Sequence, residues 1–261
     1  MRIREFRLNH DEQVIVKVSK EILSLYHISV AEDDGDTDYG VFDLRHDIAD
    51  GDKAVVHTEL SITGNDGKVM RAECTTEGSP DEAPRAEVHR LVKMNFYHLL
   101  HELVDLPPAP WGILHGVRPT KIVHRYIEKG MDREAVIRRL MTDFEASREK
   151  AELITDLAYY QRPFLAQTTP RTVSIYVGIP FCLSRCLYCS FPANVLPADN
   201  ELDRFMEVFQ RDLDAVRRAI DTYGFTVQNI YIGGGTPTSL PDAYFEDMMQ
   251  RVVSAFYHDG I

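Results

Sequence analysis

Arg171-Thr-Val-Ser-Ile-Tyr-Val-Gly-Ile-Pro-Phe-Cys-Leu-Ser-Arg-Cys-Leu-Tyr-Cys-Ser190 begins as a β-branched, alternating run and passes without a break into a loop holding three cysteines. The first part, Arg171 to Gly178, reads as a strand. Cys182, Cys186 and Cys189 are three of the four cysteines in the 261-residue chain, and they fall within eight residues. Such crowding points to a metal site. Structural zinc closes a tetrahedron with four Cys or His ligands, whereas here three thiolates are offered and Cys74 lies more than a hundred residues upstream. An iron–sulfur cluster held by three cysteines fits better: a [4Fe–4S] cluster usually takes four, so one iron would be left open to bind and activate something. Cys186-Leu-Tyr-Cys189 alone is also a thioredoxin-like spacing, which leaves Cys182 unexplained. Zinc and plain structural thiols stay as the other readings.

Downstream, Leu202 to Tyr223 is a strongly periodic helix ended by Gly224. Val227-Gln-Asn-Ile-Tyr-Ile232 is a second strand that runs into Gly233-Gly-Gly-Thr-Pro-Thr-Ser239, and Pro241 opens a helix reaching about Tyr257. This is β-loop-α-β-loop-α, the pattern of a parallel sheet with right-handed crossovers. Both unusual loops follow strands, so both belong at one carboxyl edge, where α/β sheets place their sites. Three consecutive glycines lack the spacing of the dinucleotide fingerprint. A plain strand-to-helix turn is the ordinary alternative.

Upstream the grammar differs. Val14–Val18 and Ala54–Ile62 read as short strands, separated by an acidic stretch from Glu32 to Asp52 that reads as a solvated loop. A calcium loop starting at Asp34 is ruled out, because Tyr39 stands where glycine is needed and Arg45 where the bidentate glutamate is needed. Ser79-Pro-Asp-Glu82 supplies helix-start signals. Val88, Leu91, Val92, Phe96, Leu99, Leu100 and Leu103 then predict a helix near 85–104, stopped by Pro107, Pro108 and Pro110. His98 and His101 sit one turn apart on it; without a third partner they read as ordinary residues. Helices are expected over 120–128, 132–141 and 147–160, the last stopping before Pro163. Gln161 to Thr172 is the best boundary, giving an N-terminal α+β domain over 1–165 and a βα segment over 170–261. Arg118 and Lys121 near the single Trp111 could touch an acidic substrate or partner, but a turn with core packing is the simpler account.

Composition narrows the classes. Hydrophobic residues make up 44% of the chain, enough for packed cores. A net charge of −12 argues against a general nucleic-acid binder, which needs clustered Lys and Arg. No apolar run approaches the ~20 residues of a membrane span, and Asn9-His-Asp-Glu12 interrupts the start before a signal-peptide core develops. With its free thiols, the chain reads as cytoplasmic.

The strand, Cys-x3-Cys-x2-Cys and the following glycine loop resemble a radical S-adenosylmethionine (SAM) enzyme. Ile175-Tyr-Val-Gly-Ile-Pro-Phe-Cys182 together with Gly233-Gly-Gly-Thr-Pro237 resembles the oxygen-independent coproporphyrinogen III oxidase group. Pro110-Trp-Gly-Ile-Leu-His-Gly-Val-Arg-Pro-Thr-Lys-Ile-Val-His124 is similar to its coproporphyrinogen dehydrogenase branch, which carries a long N-terminal extension. The resemblance implies the start of a (β/α)6 radical SAM barrel and a [4Fe–4S] cluster on Cys182, Cys186 and Cys189. It places SAM near Tyr176, Gly234, Gly235 and Thr236. It implies a one-electron donor of the flavodoxin or ferredoxin type and a 5′-deoxyadenosyl radical that drives oxidative decarboxylation of coproporphyrinogen III propionates in haem biosynthesis. No catalytic residue beyond these is named by it. Gly178 stands where the bacterial decarboxylases have histidine, and Ser190-Phe191 replaces their Gly-Cys pair. Tyr188-Cys-Ser-Phe191 is similar to the haem-chaperone branch, so haem binding is the implied alternative, and a radical SAM reaction on another substrate a third. Because only two βα units follow residue 170, the resemblance also implies a piece of a longer protein, inactive by itself.

Overall fold

The computed structural model describes residues 1–32, 36–79, 82–114, 118–259 and 261. It is a mixed α/β structure that divides into two compact units, Met1–Gln161 and Arg162–Ile261.

The first unit is built on a five-stranded sheet of order β2-β1-β3-β4-β5. Its strands are β1 (Arg2–Leu8), β2 (Ser29–Val30), β3 (Tyr39–Asp50), β4 (Ala54–Thr63) and β5 (Val69–Glu77). β1 runs parallel to β2 and β3, and β3-β4-β5 form an antiparallel meander. Along β4 the side chains of Ala54, Val56, Thr58, Leu60 and Ile62 are buried while their neighbours are not, the period-two alternation of a sheet covered on one face. The cover comes from α1 (Gln13–Leu25) and α2 (Pro84–Leu103), through Ile15, Val18 and Ile22 of the first and Leu91, Val92, Phe96 and Leu100 of the second. Each fully buried aliphatic side chain contributes about 1.5–3 kcal/mol. A second core joins α3 (Pro119–Glu128), α4 (Arg133–Phe144) and the first part of α5 (Arg148–Ala166) around Val123, Tyr126, Ile137, Leu140 and Ile154.

Three sequence expectations are corrected here. Val14–Val18 is helical, not extended: the buried positions Ile15, Val18, Ser19, Ile22 and Leu23 follow the helical period once the window extends past Val18. Packing of that face outweighs the β-branched preference of the run. The acidic stretch is only partly a loop, since Tyr39–Asp50 is strand β3, with Phe42, Leu44 and His46 turned inward and the charged Asp43, Arg45 and Asp47 between them. α5 continues through Pro163 to Ala166; in the final turn a missing N–H removes a single ladder bond. The calcium-loop start at Asp34 lies outside the described residues, as do Pro80 and Asp81 of the helix-start signal and residues 115–117 of the Pro110–His124 motif. α2 begins at Pro84, which occupies the first helical turn as Pro80 was expected to.

The second unit is smaller. β6 (Thr172–Ile179) pairs in parallel with β9 (Thr226–Gly234), and α6 (Asp199–Tyr223) is the crossover between them. Between β6 and α6 the chain forms a short parallel pair, β7 (Phe181–Cys182) with β8 (Asn194–Val195). After β9 a 3-10 turn at Pro237–Ser239 leads to α7 (Asp242–Phe256). Val177, Ile179 and Val227 bury one sheet face under Leu202, Met206 and Leu213 of α6 and Met248, Val252 and Phe256 of α7. Gly224 ends α6 with φ +63°, the left-handed stop that glycine adopts without strain.

Candidate metal and cofactor site

β6 and β9 lie side by side with Gly178 opposite Gly233 and Ile179 opposite Gly234. Being parallel and in this register, they release the cysteine loop and the glycine loop from the same edge of the sheet. Hydrogen bonds then join the two loops. The Gly235 amide donates to the Ile179 carbonyl at 2.8 Å and the Thr236 amide to the Phe181 carbonyl at 2.7 Å. The Ser239 hydroxyl, buried, donates to the same Phe181 carbonyl at 3.3 Å. On its other side the cysteine loop is closed by β8: Asn194 donates to the Pro180 carbonyl at 2.7 Å and Leu196 to that of Cys182 at 2.8 Å.

Two glycines are required by this contact. Gly234 has φ +104°, and a Cβ there would lie 2.5 Å from the Ile179 carbonyl oxygen. At Gly235 a Cβ would sit 2.5 Å from the Phe181 oxygen and 2.8 Å from the Cys182 sulfur. Glycine is used where backbone must approach this closely.

Cys182 and Cys189 are half-buried and Cys186 is exposed; all three are free thiols. The Cys189 amide donates to the Cys186 carbonyl at 3.1 Å, a turn that brings the second and third cysteines round. The loop's apolar side chains are outside the core: Leu183 is 73% exposed, Leu187 and Tyr188 more so. The neighbouring Cys186 and Cys189 thiols raise the titration of the Tyr188 hydroxyl above its ordinary value, Cys186 contributing most. The Thr236 hydroxyl lies 3.5 Å from the Cys182 sulfur as its donor. Among the described residues, His57, Glu59 and Glu73 on the meander of the first unit form a tight group of potential ligand atoms. Three free thiols on one loop, with no fourth Cys or His beside them in the sequence, fit an iron–sulfur cluster with one open iron better than a closed structural zinc site. Gly235 leaves the room beside Cys182.

Tyr176 lies on the open face of β6 beside a residue that the sequence reading did not single out. It stacks on its register partner Tyr231 with centroids 5.6 Å apart and planes at 15°, both rings more than half exposed. The signal was present in the shared text Ile175-Tyr-Val-Gly178 and Ile230-Tyr-Ile-Gly233. A cavity of about 350 Å³ opens at the sheet edge, lined by Tyr176, Gly178, Ile179, Phe191, Gly234 and Gly235 among others. The site thus brings together Tyr176, Gly234 and Gly235 at one cavity, with Cys182 and Thr236 beside them. A larger hollow of about 610 Å³ on the first unit's sheet, lined by Asp43, Arg45 and Glu73, involves none of these residues.

His98 and His101 do not act as a pair: His98 Nε2 meets Glu145 Oε1 at 2.9 Å and His101 Nε2 meets the Tyr26 hydroxyl at 2.6 Å. Trp111 packs into the second core of the first unit, with the Lys150 ammonium 5.7 Å from its ring. No helix among the described residues is long and apolar enough to cross a membrane.

Residues 176–253 match the Radical SAM superfamily. Proteins of this superfamily use a [4Fe–4S] cluster and SAM. Similar curated proteins include the oxygen-independent coproporphyrinogen-III oxidase-like protein HemZ of Bacillus subtilis, 33% identical over 150 residues, or 56% of this chain and 30% of that one. The heme chaperone HemW of Mycobacterium tuberculosis is 34% identical over 98 residues, covering 36% of this chain and 24% of its own. The oxygen-independent coproporphyrinogen III oxidase of Escherichia coli is 29% identical over 115 residues, 44% of this chain and 24% of its own. The matches span under a third of the length of these relatives.

Proposed function

We propose that Cys182, Cys186 and Cys189 hold three irons of a [4Fe–4S] cluster, and that residues 170–261 are the first two βα units of a (β/α)6 radical SAM core. The N-terminal α+β domain, residues 1–165, has no assigned role. The observation that carries this reading is the edge-to-edge placement of the cysteine and glycine loops, tied together through Ile179, Phe181 and Thr236. When bound, the cluster supplies one electron that cleaves the sulfonium of SAM. The chain's own part is to hold and orient. The amides of Gly235 and Thr236 are already donated to the strand beside them, so this loop offers SAM carbonyl oxygens, which suit the ammonium of its amino acid portion. Tyr176 borders the same cavity and, braced by Tyr231, limits water on the open face.

The whole protein would then be an oxidoreductase of haem biosynthesis in the cytoplasm, removing carboxyl groups from the propionates of coproporphyrinogen III with electrons from a flavodoxin- or ferredoxin-type donor. The similarity to HemZ and to the oxidases supports this reading. Tyr188-Cys-Ser-Phe191 and the similarity to HemW favour a second one, in which a haem-binding chaperone keeps the same cluster. Anaerobic reconstitution of the full-length protein with SAM and coproporphyrinogen III separates them. Loss of two carboxyl groups per substrate supports the enzyme; stable haem binding with no decarboxylation supports the chaperone. SAM cleavage with neither tetrapyrrole bound would indicate another substrate.

A further inference from the structure

We propose that the Thr236 hydroxyl sets the reduction potential of the cluster by hydrogen-bonding the Cys182 sulfur. This rests on the reading that Cys182 is an iron ligand. The family resemblance implies that Thr236 meets SAM, yet its Oγ1 lies 3.5 Å from Sγ of Cys182, within hydrogen-bonding range for sulfur. The contact is built. Thr236 donates its amide to the carbonyl of Phe181, the residue just before Cys182, at 2.7 Å, and its own carbonyl accepts from Ser239 at 2.8 Å. With backbone fixed on both sides, the β-branched side chain has few rotamers left. Gly235 completes the arrangement, since any side chain there would strike Cys182.

The chemical consequence follows from charge. A thiolate ligand of the cluster carries negative charge that grows when the cluster takes up an electron. A hydroxyl donating to that sulfur therefore stabilises the reduced state more than the oxidised one, and hydrogen bonds to cluster sulfurs are among the levers that set cluster potentials. The hydroxyl has one proton and two lone pairs. With the proton on Cys182, its lone pairs are free to accept from an ammonium such as that of SAM, so one side chain can touch both partners.

The test uses the anaerobically reconstituted 261-residue chain without SAM, titrated with dithionite and read by the electron paramagnetic resonance of the reduced cluster. Thr236→Val keeps the shape and removes the proton; its midpoint should move to a more negative potential, while Thr236→Ser should stay near wild type. A Val variant that loads its cluster and titrates at the wild-type potential overturns the proposal and leaves the cluster reading intact. A wild-type chain that binds no cluster overturns the reading itself. Should Thr236→Val fail to take up iron, electron–nuclear double resonance in H₂O and D₂O decides the matter. An exchangeable-proton coupling in wild type that is lost in Thr236→Ala supports the bond, and an unchanged coupling refutes it.

Discussion

The two units treat their polar groups in opposite ways. In the first unit, Cys74 sits half-buried on β5, and burial, aided by the nearby Glu102 charge, pushes its thiol up to about 11. His46, 1% exposed, bonds Thr58 through Nδ1 at 2.9 Å, and Asn95 donates to the Val56 carbonyl and to the Thr58 hydroxyl. In the second unit Cys186 is exposed and Cys182 and Cys189 are half-buried, in a loop whose Leu183, Leu187 and Tyr188 are exposed, and most of the bonds around them hold backbone, with the Thr236 hydroxyl reaching the Cys182 sulfur. A single half-buried thiol whose titration is pushed up is a packing group, whereas three thiols in one loop at a sheet edge are placed to act together on the proposed cluster.

The sharpest way to break that contrast is to remove the cysteines one at a time. Cys182→Ser, Cys186→Ser and Cys189→Ser should each reduce iron and sulfide bound after anaerobic reconstitution to near background. Cys74→Ser should bind as wild type does. Loss of the cluster with Cys74→Ser, or its retention with any loop serine, would erase the distinction. Next in size is Gly235→Ala, whose methyl would meet the Phe181 oxygen at 2.5 Å and the Cys182 sulfur at 2.8 Å. Crowding of this kind costs about 1–3 kcal/mol, so thermal unfolding should come earlier and iron uptake should fall. Gly51→Ala in the first unit, where the nearest atom is 3.9 Å away, should change stability by about 0.5 kcal/mol or less.

The same contrast explains what could be read in the sequence. The second unit is legible because its signals are local: the expected strand 171–178 is Thr172–Ile179, and the expected helix 202–223 lies within Asp199–Tyr223. Its two loops follow strands in the text and share an edge in space. What the text does not contain is register. Tyr231 against Tyr176, and Thr236 against Cys182, depend on Ile179 lying opposite Gly234, a pairing across 55 residues of chain. In the first unit the misreadings have another source. The inward residues of β3 are interleaved with Asp43, Arg45 and Asp47, so charge hid the alternation. In α1 the β-branched opening Val14–Val18 hid a helical stripe completed only at Ile22 and Leu23.

Acid should act on the first unit through His46. Burial, with the adjacent His10 contributing, lowers this imidazole to about 4. The unfolded chain would then bind more protons than the folded one between about pH 6.5 and 4. Stability is unaffected by this group above that window and declines as the pH falls through it, by on the order of 3 kcal/mol at the lower end. Urea unfolding of wild type and His46→Gln from pH 7 to 4.5 should show a steeper fall for wild type. Superimposable profiles would remove His46 from the account.

The smallest effect compares two helix starts. Asp132 caps α4 in the first unit, its carboxylate accepting the Ala135 amide at 2.7 Å, with Glu134 in the first turn. In the second unit α6 starts at Ala198, which has cap geometry (φ −69°, ψ 160°) and no side chain able to accept, although Asp199 and Glu201 follow. Both helices thus have acidic residues facing the positive end of the dipole, and only one has its amides bonded by a side chain. Asp132→Ala should cost about 1 kcal/mol, while Ala198→Asp should gain a similar amount at most. Opposite signs in chemical denaturation would mean that the cap bond itself carries the energy. If Ala198→Asp instead destabilised, repulsion from Asp199 and Glu201 would outweigh the bond, and the first-turn carboxylates of α6 would already saturate its dipole.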